Sequence, residues 1–244
     1  MALAAPAAAS PRSATKRDHA ARLTALRGRS DAGRPALSRA VDLRLIVTPA
    51  DGGDLGVFEA PGAPAPSQVF PAVNELGSPL VLLAVEQRSD WYRVMLPTRP
   101  NGSSAWVPTS AVRTTAPAYE VEMSLSALDL KVVRIADRAV VFTSPIGIGA
   151  PSSPTPTGLF FVRDHFPTDG APDHPYGPFA FGLSGHSDVL MHVGTGDGRI
   201  AIHGTNQPAS IGAAMSNGCA HVPNDVVLEL IPYLPLGTPV TITA

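Results

Sequence analysis

The chain has 244 residues, of which 44% are hydrophobic and 16% charged, and this composition excludes disorder throughout. The longest uninterrupted apolar run in the body, Leu80 to Val85, is far below the ~18 residues that cross a bilayer, which excludes a transmembrane helix. Residues 1–40 carry 8 of the 18 basic and 2 of the 20 acidic side chains, so the rest holds 10 basic and 18 acidic groups. A body with that net charge of −8 argues against a nucleic-acid groove.

Residues 1–39 are rich in Ala, Pro and Arg, and we expect them to form a disordered leader. The Ala-x-Ala pattern at residues 7–9, followed by Ser10, resembles the cleavage end of a secretory signal whose charged start and apolar core are missing. Two interpretations therefore stay open, a signal remnant from an exported protein and an unstructured tail.

Residues 40–114 contain short runs of β-forming residues separated by turn signals. These runs predict strands at Val41–Val47, Leu80–Val85 and Trp91–Leu96. Asn101-Gly102 predicts a hairpin because both residue types accept positive φ. We expect a small all-β module that resembles bacterial SH3-like domains.

Residues 115–118 are predicted to be a linker, followed by a second β-rich region over 119–244. Strands are predicted at Tyr119–Leu125, Leu130–Ile135, Ala139–Phe142, Leu159–Val162, Phe179–Leu183, Val189–Val193, Arg199–His203 and Thr238–Thr243. Asn224 is predicted to be an N-cap, because the apolar residues Val227, Leu230, Ile231 and Leu234 follow with helical spacing. The predicted fold class is mainly β, a sandwich or barrel with one short helix near the C-terminus.

Cys219, the only cysteine, lies close in sequence to two histidines, His203 and His221. A thiol is a poor nucleophile at neutral pH unless a neighbouring imidazole takes or stabilises its proton. His203 ends a predicted strand, and Gly218 lets the backbone approach a substrate closely just before the cysteine. These residues indicate cysteine acyl chemistry, and the alternative on spacing alone is a buried structural thiol.

A zinc site built from His192, His203, Cys219 and His221 is a different possibility, since imidazole and thiolate are suitable ligands. No closely spaced His-x-x-x-His or Cys-x-x-Cys pair is present, which disfavours it. We therefore expect no metal site.

Three blocks in the second region together resemble the L,D-transpeptidase catalytic domain (YkuD-like), a β-rich fold of bacterial cell-wall enzymes. They are Pro-Thr-Pro-Thr-Gly-Leu-Phe at residues 154–160, Tyr-Gly-Pro at 176–178, and Ile-His-Gly-Thr at 202–205 followed by Ser-Asn-Gly-Cys at 216–219. The match extends from Tyr119 to Thr243, and the upstream β-module resembles domains that precede it in actinobacterial members. Two positions depart from the family pattern. Asn217 stands where His or Arg is usual, and His221 where Arg is frequent.

The resemblance implies a peptidoglycan L,D-transpeptidase with Cys219 as nucleophile and His203 as proton acceptor and donor. It acts on stem tetrapeptides, releases D-Ala and needs no metal or organic cofactor. It also implies that the Gly204 carbonyl orients the imidazole.

Further supporting roles follow from the same resemblance. The backbone amides of Asn217, Gly218 and Cys219 are expected to form an oxyanion hole supported by Ser216. Tyr176 and His221 are expected to contact the substrate.

Two alternatives to this function stay open. One is a cell-wall cysteine endopeptidase, although the cysteine usually precedes its histidine in those enzymes. The other is a catalytically degenerate wall-binding protein, which the replacements at Asn217 and His221 suggest. Action on peptidoglycan would place the protein in an extracytoplasmic space, and the sequence does not define an oligomeric state.

Overall fold

A five-stranded antiparallel sheet is the first architectural unit in the computed structural model, which describes residues 43–171, 173–193 and 196–244. Its strands are β1 (Leu45–Pro49), β4 (Leu82–Arg88), β5 (Trp91–Met95), β6 (Ser104–Pro108) and β7 (Val112–Thr115), in the order β6-β5-β4-β1-β7. A separate hairpin of β2 (Leu55–Val57) and β3 (Gln68–Phe70) is connected to it where Phe58 pairs with Trp106. The three strands predicted here are confirmed with shifted ends, and the sequence patterns missed β2, β3 and β7.

The predicted hairpin at Asn101-Gly102 is confirmed, because β5 and β6 pair in antiparallel fashion on either side of it. Only Gly102 takes a positive φ, of 82°. Asn101 does not share this conformation. Its side-chain amide instead forms hydrogen bonds with the backbone of His186 in the second sheet.

A mixed eight-stranded sheet forms the rest of the fold, in the order β10-β9-β8-β17-β12-β13-β14-β16. Its strands are β8 (Tyr119–Ser124), β9 (Asp129–Arg134), β10 (Val140–Pro145), β12 (Gly158–Pro167), β13 (Phe179–His186), β14 (Arg199–His203), β16 (Ala220–His221) and β17 (Pro239–Thr243). The short strands β11 (Ile148–Gly149) and β15 (Ala214–Ser216) pair beside it. The mainly β fold class is confirmed.

The two edge strands of this sheet, β10 and β16, approach each other through the residues that follow β10. Gly147, just after β10, exchanges two backbone hydrogen bonds of 2.9 Å with His221 of β16. A Cβ atom at Gly147 would collide with the carbonyl of Ser210, so only glycine permits this approach. The sheet therefore curls into a partly closed barrel.

One short helix, α1 (Asn224–Glu229), follows β16. The prediction of Asn224 as its N-cap is wrong, because Pro223 occupies that position and no side chain caps the helix. The Asn224 Oδ1 atom instead accepts a 2.7 Å hydrogen bond from the amide of Thr205. The helix thus helps to hold the segment that follows β14.

The predicted strand at Val189–Val193 is also wrong, although its residues are apolar. The Arg99 guanidinium donates hydrogen bonds to the carbonyls of Ser187, Leu190 and Asp197, at 2.6, 3.0 and 2.9 Å. These carbonyls would otherwise be available for strand pairing, and the side chain of Val189 is 52% exposed. Arg99, from the loop between β5 and β6, thus binds one carbonyl inside the segment and one on either side, which favours a loop over a strand.

Two hydrophobic cores meet at strand β12. Phe160 and Val162 pack into the core between the eight-stranded sheet and α1, whereas Phe161 packs into the core of the first sheet. All three are nearly or fully buried. Residues 40–244 accordingly cluster as one compact unit. The linker predicted at 115–118 begins at the last residue of β7 and ends just before β8, and the domain boundary stays a prediction.

Charged and polar side chains link the two sheets beside these cores. Glu75 accepts two hydrogen bonds from Arg163, at 2.9 and 2.7 Å. Arg163 also pairs with Asp164 at 2.9 Å, and Asp164 accepts a hydrogen bond from Asn74. We call Asn74, Glu75, Arg99 and Asn101, together with the groups they contact on the second sheet, the junction.

Asn101 and His186 complete the junction. Asn101 donates to the His186 carbonyl and accepts from its amide, at 2.7 and 2.9 Å. The predicted leader, residues 1–39, lies outside the described residues. Within the described ranges, no helix is long and apolar enough to cross a membrane.

Candidate active site

Strands β14 and β16 bring the histidine and cysteine motifs together. The strands pair in parallel, with Ile202 opposite Ala220 and His203 opposite His221. Extending this register by one residue places Cys219 beside Ala201, so Cys219 and His203 are diagonal neighbours on one face. The alternate residues Ile202 and Ala220 face the core instead.

His203 is fixed in a single neutral tautomer. Its Nδ1 atom lies 2.5 Å from the Gly204 carbonyl, which can only accept, so Nδ1 carries the proton and Nε2 is the free base. The imidazole is 3% exposed. Burial, assisted by the fields of His221 and His174, lowers its pKa to about 3. The resting histidine is therefore an uncharged proton acceptor, and Gly204 lies where the resemblance implied.

Cys219 is likewise uncharged at rest. Its thiol accepts a backbone hydrogen bond from Ala201, which favours the thiolate, but burial of the sulfur outweighs it and raises the thiol pKa to about 11. The residue keeps part of its surface open to solvent. The geometry thus supports proton transfer from thiol to imidazole during attack, without a preformed ion pair.

The turn before Cys219 is held by Ser216. The Ser216 hydroxyl donates to the Cys219 carbonyl at 2.6 Å and accepts from the Gly218 amide at 3.1 Å. Gly218 has a φ of 113°, a conformation that other residues rarely adopt. Within the described chain, the amides of Asn217 and Cys219 have no hydrogen-bond partner. These two amides are therefore the available oxyanion donors, whereas that of Gly218 is engaged by Ser216.

Tyr176 lies against His203 from the segment that leads into β13. Their ring centroids are 4.8 Å apart in an edge arrangement, and Tyr176 is 37% exposed. Burial raises the tyrosine pKa, and the negative charge that Cys219 carries once its thiol has ionised raises it further. The adjacent Gly177 packs so closely on Gly204 and Thr205 that a side chain there would clash with both backbones. Tyr176 thus packs directly on the imidazole, and we call the cluster of Tyr176, His203, Cys219 and His221 the pocket.

His221 is the second ring that packs on His203. Its ring centroid lies 4.7 Å from that of His203, and its Nδ1 atom is 2.8 Å from the Ser210 hydroxyl. Burial lowers the pKa of His221. Ser210, 1% exposed, gave no sequence signal, since an isolated serine in a loop has no diagnostic pattern.

The remaining candidates lie outside this cluster. Asn217 is exposed, and within the described residues its side chain forms no hydrogen bond. His192 is exposed in the loop that Arg99 holds. Over residues 43–171, 173–193 and 196–244, no group of three or more His, Cys, Asp or Glu side chains could hold a metal ion. Sequence reasoning named Cys219, His203, Tyr176 and His221 as site residues, and the structure places all four near His203; their roles stay predictions.

The fold and this pocket define a β-rich domain with a cysteine and an oriented histidine on adjacent strands. Residues 118–242 match the family described as YkuD, the L,D-transpeptidase catalytic domain. The chain therefore belongs to the YkuD family of L,D-transpeptidase catalytic domains.

Individual relatives agree with this family. The chain is 38% identical over 125 residues to a candidate L,D-transpeptidase, YkuD, of Bacillus licheniformis, covering 51% of this chain and 66% of that protein. The corresponding protein of Bacillus subtilis is 36% identical over 124 residues, covering 51% and 65%. The alignments thus span just under two thirds of these relatives.

Among solved structures, an L,D-transpeptidase from Mycobacterium smegmatis is similar at 18% identity over 87% of this chain and 88% of that chain. Its TM-score of 0.40 is too low to support an inference about this chain.

Proposed function

We propose that this protein is a peptidoglycan L,D-transpeptidase that works outside the cytoplasm. The observation that carries the proposal is that Cys219 and His203 lie on one face of adjacent strands, with Nε2 of His203 free to accept a proton, inside the region that matches the family. The substrate is a stem tetrapeptide, and the reaction moves its tripeptide acyl group from D-Ala to another amine.

In the first step the Cys219 sulfur attacks the carbonyl carbon between the third stem residue and D-Ala. The thiol proton passes to Nε2 of His203, whose Nδ1–H stays bonded to the Gly204 carbonyl. The amides of Asn217 and Cys219 donate to the developing oxyanion, where one such donor contributes about 3 kcal/mol. The C–N bond then breaks, and His203 returns its proton to the departing D-Ala amine.

In the second step an acceptor amine attacks the thioester on Cys219. His203 takes a proton from this amine, the C–S bond breaks, and the sulfur recovers the proton. A neutral resting pair suits this cycle, because the same imidazole accepts and returns one proton twice. The acceptor is a side-chain amine of a neighbouring stem.

The deciding experiment is intact mass spectrometry of the full chain mixed with a stem tetrapeptide ending in D-Ala. We expect a mass gain equal to the tripeptide acyl group and equimolar release of D-Ala. Cys219→Ala should show neither, and His203→Gln should acylate about 10²–10⁴-fold more slowly. His192→Gln is the matched control, since that histidine is exposed outside the pocket.

Other outcomes would assign the protein differently. A folded protein that gives no adduct and no D-Ala with several tetrapeptides would be a degenerate wall-binding protein, which Asn217 and His221 motivate. Cleavage of an internal bond of the stem peptide, with hydrolysis of the adduct and no transfer to any added amine, would favour the cysteine endopeptidase alternative.

A further inference from the structure

The proposed donor brings a negative charge to a site where, among the described residues, no Lys or Arg perturbs the pKa of His203, Cys219 or His221. A tetrapeptide ending in D-Ala carries its free carboxylate on the residue next to the bond that Cys219 attacks. Among the described residues, no Lys or Arg hydrogen-bonds or pairs with Tyr176, His203, Cys219 or His221. The carboxylate therefore requires a donor of another kind.

Hydrogen-bond directions at Ser210 determine what His221 can offer. The Ser210 hydroxyl has one proton, and it donates that proton to the Gln207 carbonyl at 2.7 Å. Ser210 must then accept from His221, so the Nδ1 atom of His221 carries a proton. The neutral ring consequently has a bare lone pair at Nε2, which would repel a carboxylate.

We propose that His221 is the specificity-determining residue that recognises the terminal carboxylate of the donor, and that it does so only after Nε2 has taken a proton from solvent. This inference rests on the proposed transpeptidase function. The imidazolium then donates from Nδ1 to Ser210 and from Nε2 to the carboxylate. Donor binding is therefore coupled to uptake of one proton.

The surroundings of His221 make this histidine the proton-binding group. His203 faces it from β14 at 4.7 Å but is held neutral by deeper burial. Ser210 faces it from the preceding loop, and Gly147 contributes only backbone from the opposite sheet edge. Cys219 shares its strand face, Tyr176 and His174 lie beyond His203, and within the described ranges no carboxylate pairs with His221.

The first test compares a tetrapeptide ending in D-Ala with its C-terminal amide, from about pH 6 to about pH 8, as a ratio of kcat/KM values. In the wild type this acid-to-amide ratio should fall by up to about tenfold for each pH unit, because the burial-lowered pKa leaves free His221 neutral here. His221→Gln should lower the ratio about 10–100-fold and remove its pH dependence, as expected for loss of a charge-assisted hydrogen bond.

Two further variants separate charge from structure. His221→Arg keeps a cation without titration, so the ratio should stay high at every pH. Ser210→Ala frees Nδ1 of His221, so the neutral ring can switch its proton to Nε2 and the pH dependence should flatten. His192→Gln should behave as the wild type. An unchanged ratio in His221→Gln, or a lost one in His221→Arg, would overturn the inference.

A second measurement keeps this inference distinct from the proposed function. Cys219 is alkylated in parallel with negatively charged iodoacetate and with uncharged iodoacetamide. The rate with iodoacetate is divided by the rate with iodoacetamide, so that the fraction of Cys219 present as thiolate cancels. The ratio should rise as the pH falls in the wild type and should be flat in His221→Gln. If no tetrapeptide acylates Cys219 but this ratio depends on His221, only the transpeptidase proposal fails; a flat ratio in the wild type refutes the carboxylate site.

Discussion

The junction holds ionised side chains in pairs, whereas the pocket around Cys219 holds titratable groups in their neutral forms. Arg163, with an 11% exposed side chain, contacts both Glu75 and Asp164. In the pocket, burial moves the pKa of His203 and that of Cys219 in opposite directions, each away from its charged form. Paired charges have a fixed geometry and suit the alignment of two sheets, whereas neutral groups that exchange protons suit chemistry.

The largest expected effect comes from breaking a pair in the junction. Arg163→Met leaves Asp164, 1% exposed, as a buried carboxylate without its cation, and should lower the free energy of unfolding by about 3–5 kcal/mol. The matched control is Arg88→Met, whose 64% exposed guanidinium pairs with Glu86 and should cost less than about 1 kcal/mol. Urea unfolding of the full chain measures both, and equal losses would contradict the contrast.

Acid should destabilise the pocket through His203. The pKa of its imidazole is lowered on folding, so the unfolded chain binds the extra proton and stability falls as the pH drops below the ordinary value near 6.5. Between about pH 6 and about pH 4.5 the wild type should lose up to about 1.4 kcal/mol per pH unit relative to His203→Gln. Urea unfolding at a series of pH values tests this. Parallel curves for the two proteins would show that His203 is not held neutral by the fold.

A smaller effect is expected where the junction holds the loop before β14. Arg99→Ala removes three hydrogen bonds to backbone carbonyls, and amide hydrogen exchange around Leu190 should quicken about tenfold, as for an opening made about 1.4 kcal/mol easier. Iodoacetamide modification of Cys219 should keep its pH profile, because Arg99 does not contact the pocket residues. A shifted pH profile would instead show that Arg99 in the junction influences the pKa of Cys219 in the pocket.

Local sequence patterns predicted most of the strands, because strand formation depends largely on nearby residues, and the family resemblance supplied the expected roles in the pocket. The His203 motif begins in β14 and the Cys219 motif leads into β16, and the parallel pairing of these strands places the two side chains on one face. Their roles stay predictions until tested. The sequence predicted three oxyanion donors, the amides of Asn217, Gly218 and Cys219. The structure reduces them to two, because the Gly218 amide already donates to the Ser216 hydroxyl.

The two wrong predictions share a physical cause, which is competition from distant partners. Val189–Val193 has the apolar content of a strand, yet Arg99, about ninety residues earlier, binds the Leu190 carbonyl inside it and a carbonyl on either side of it. Asn224 has the residue type of an N-cap, yet Thr205 takes its side-chain oxygen. The Glu75–Arg163 pair is separated by 88 residues and left no local signal.

Strand β12 presents its two faces to two different cores, and this limits how the protein can be taken apart. A fragment that begins near residue 118 would keep Phe160 covered but would strip the cover from Phe161, which is fully buried in the whole chain. The fragment would also lack Glu75, so Arg163 would lose one of its two salt-bridge partners. The newly bared apolar face invites self-association, and the intact chain should unfold in a single cooperative transition. The first sheet therefore excludes solvent from one face of β12, and removing that sheet would expose an apolar surface that favours aggregation.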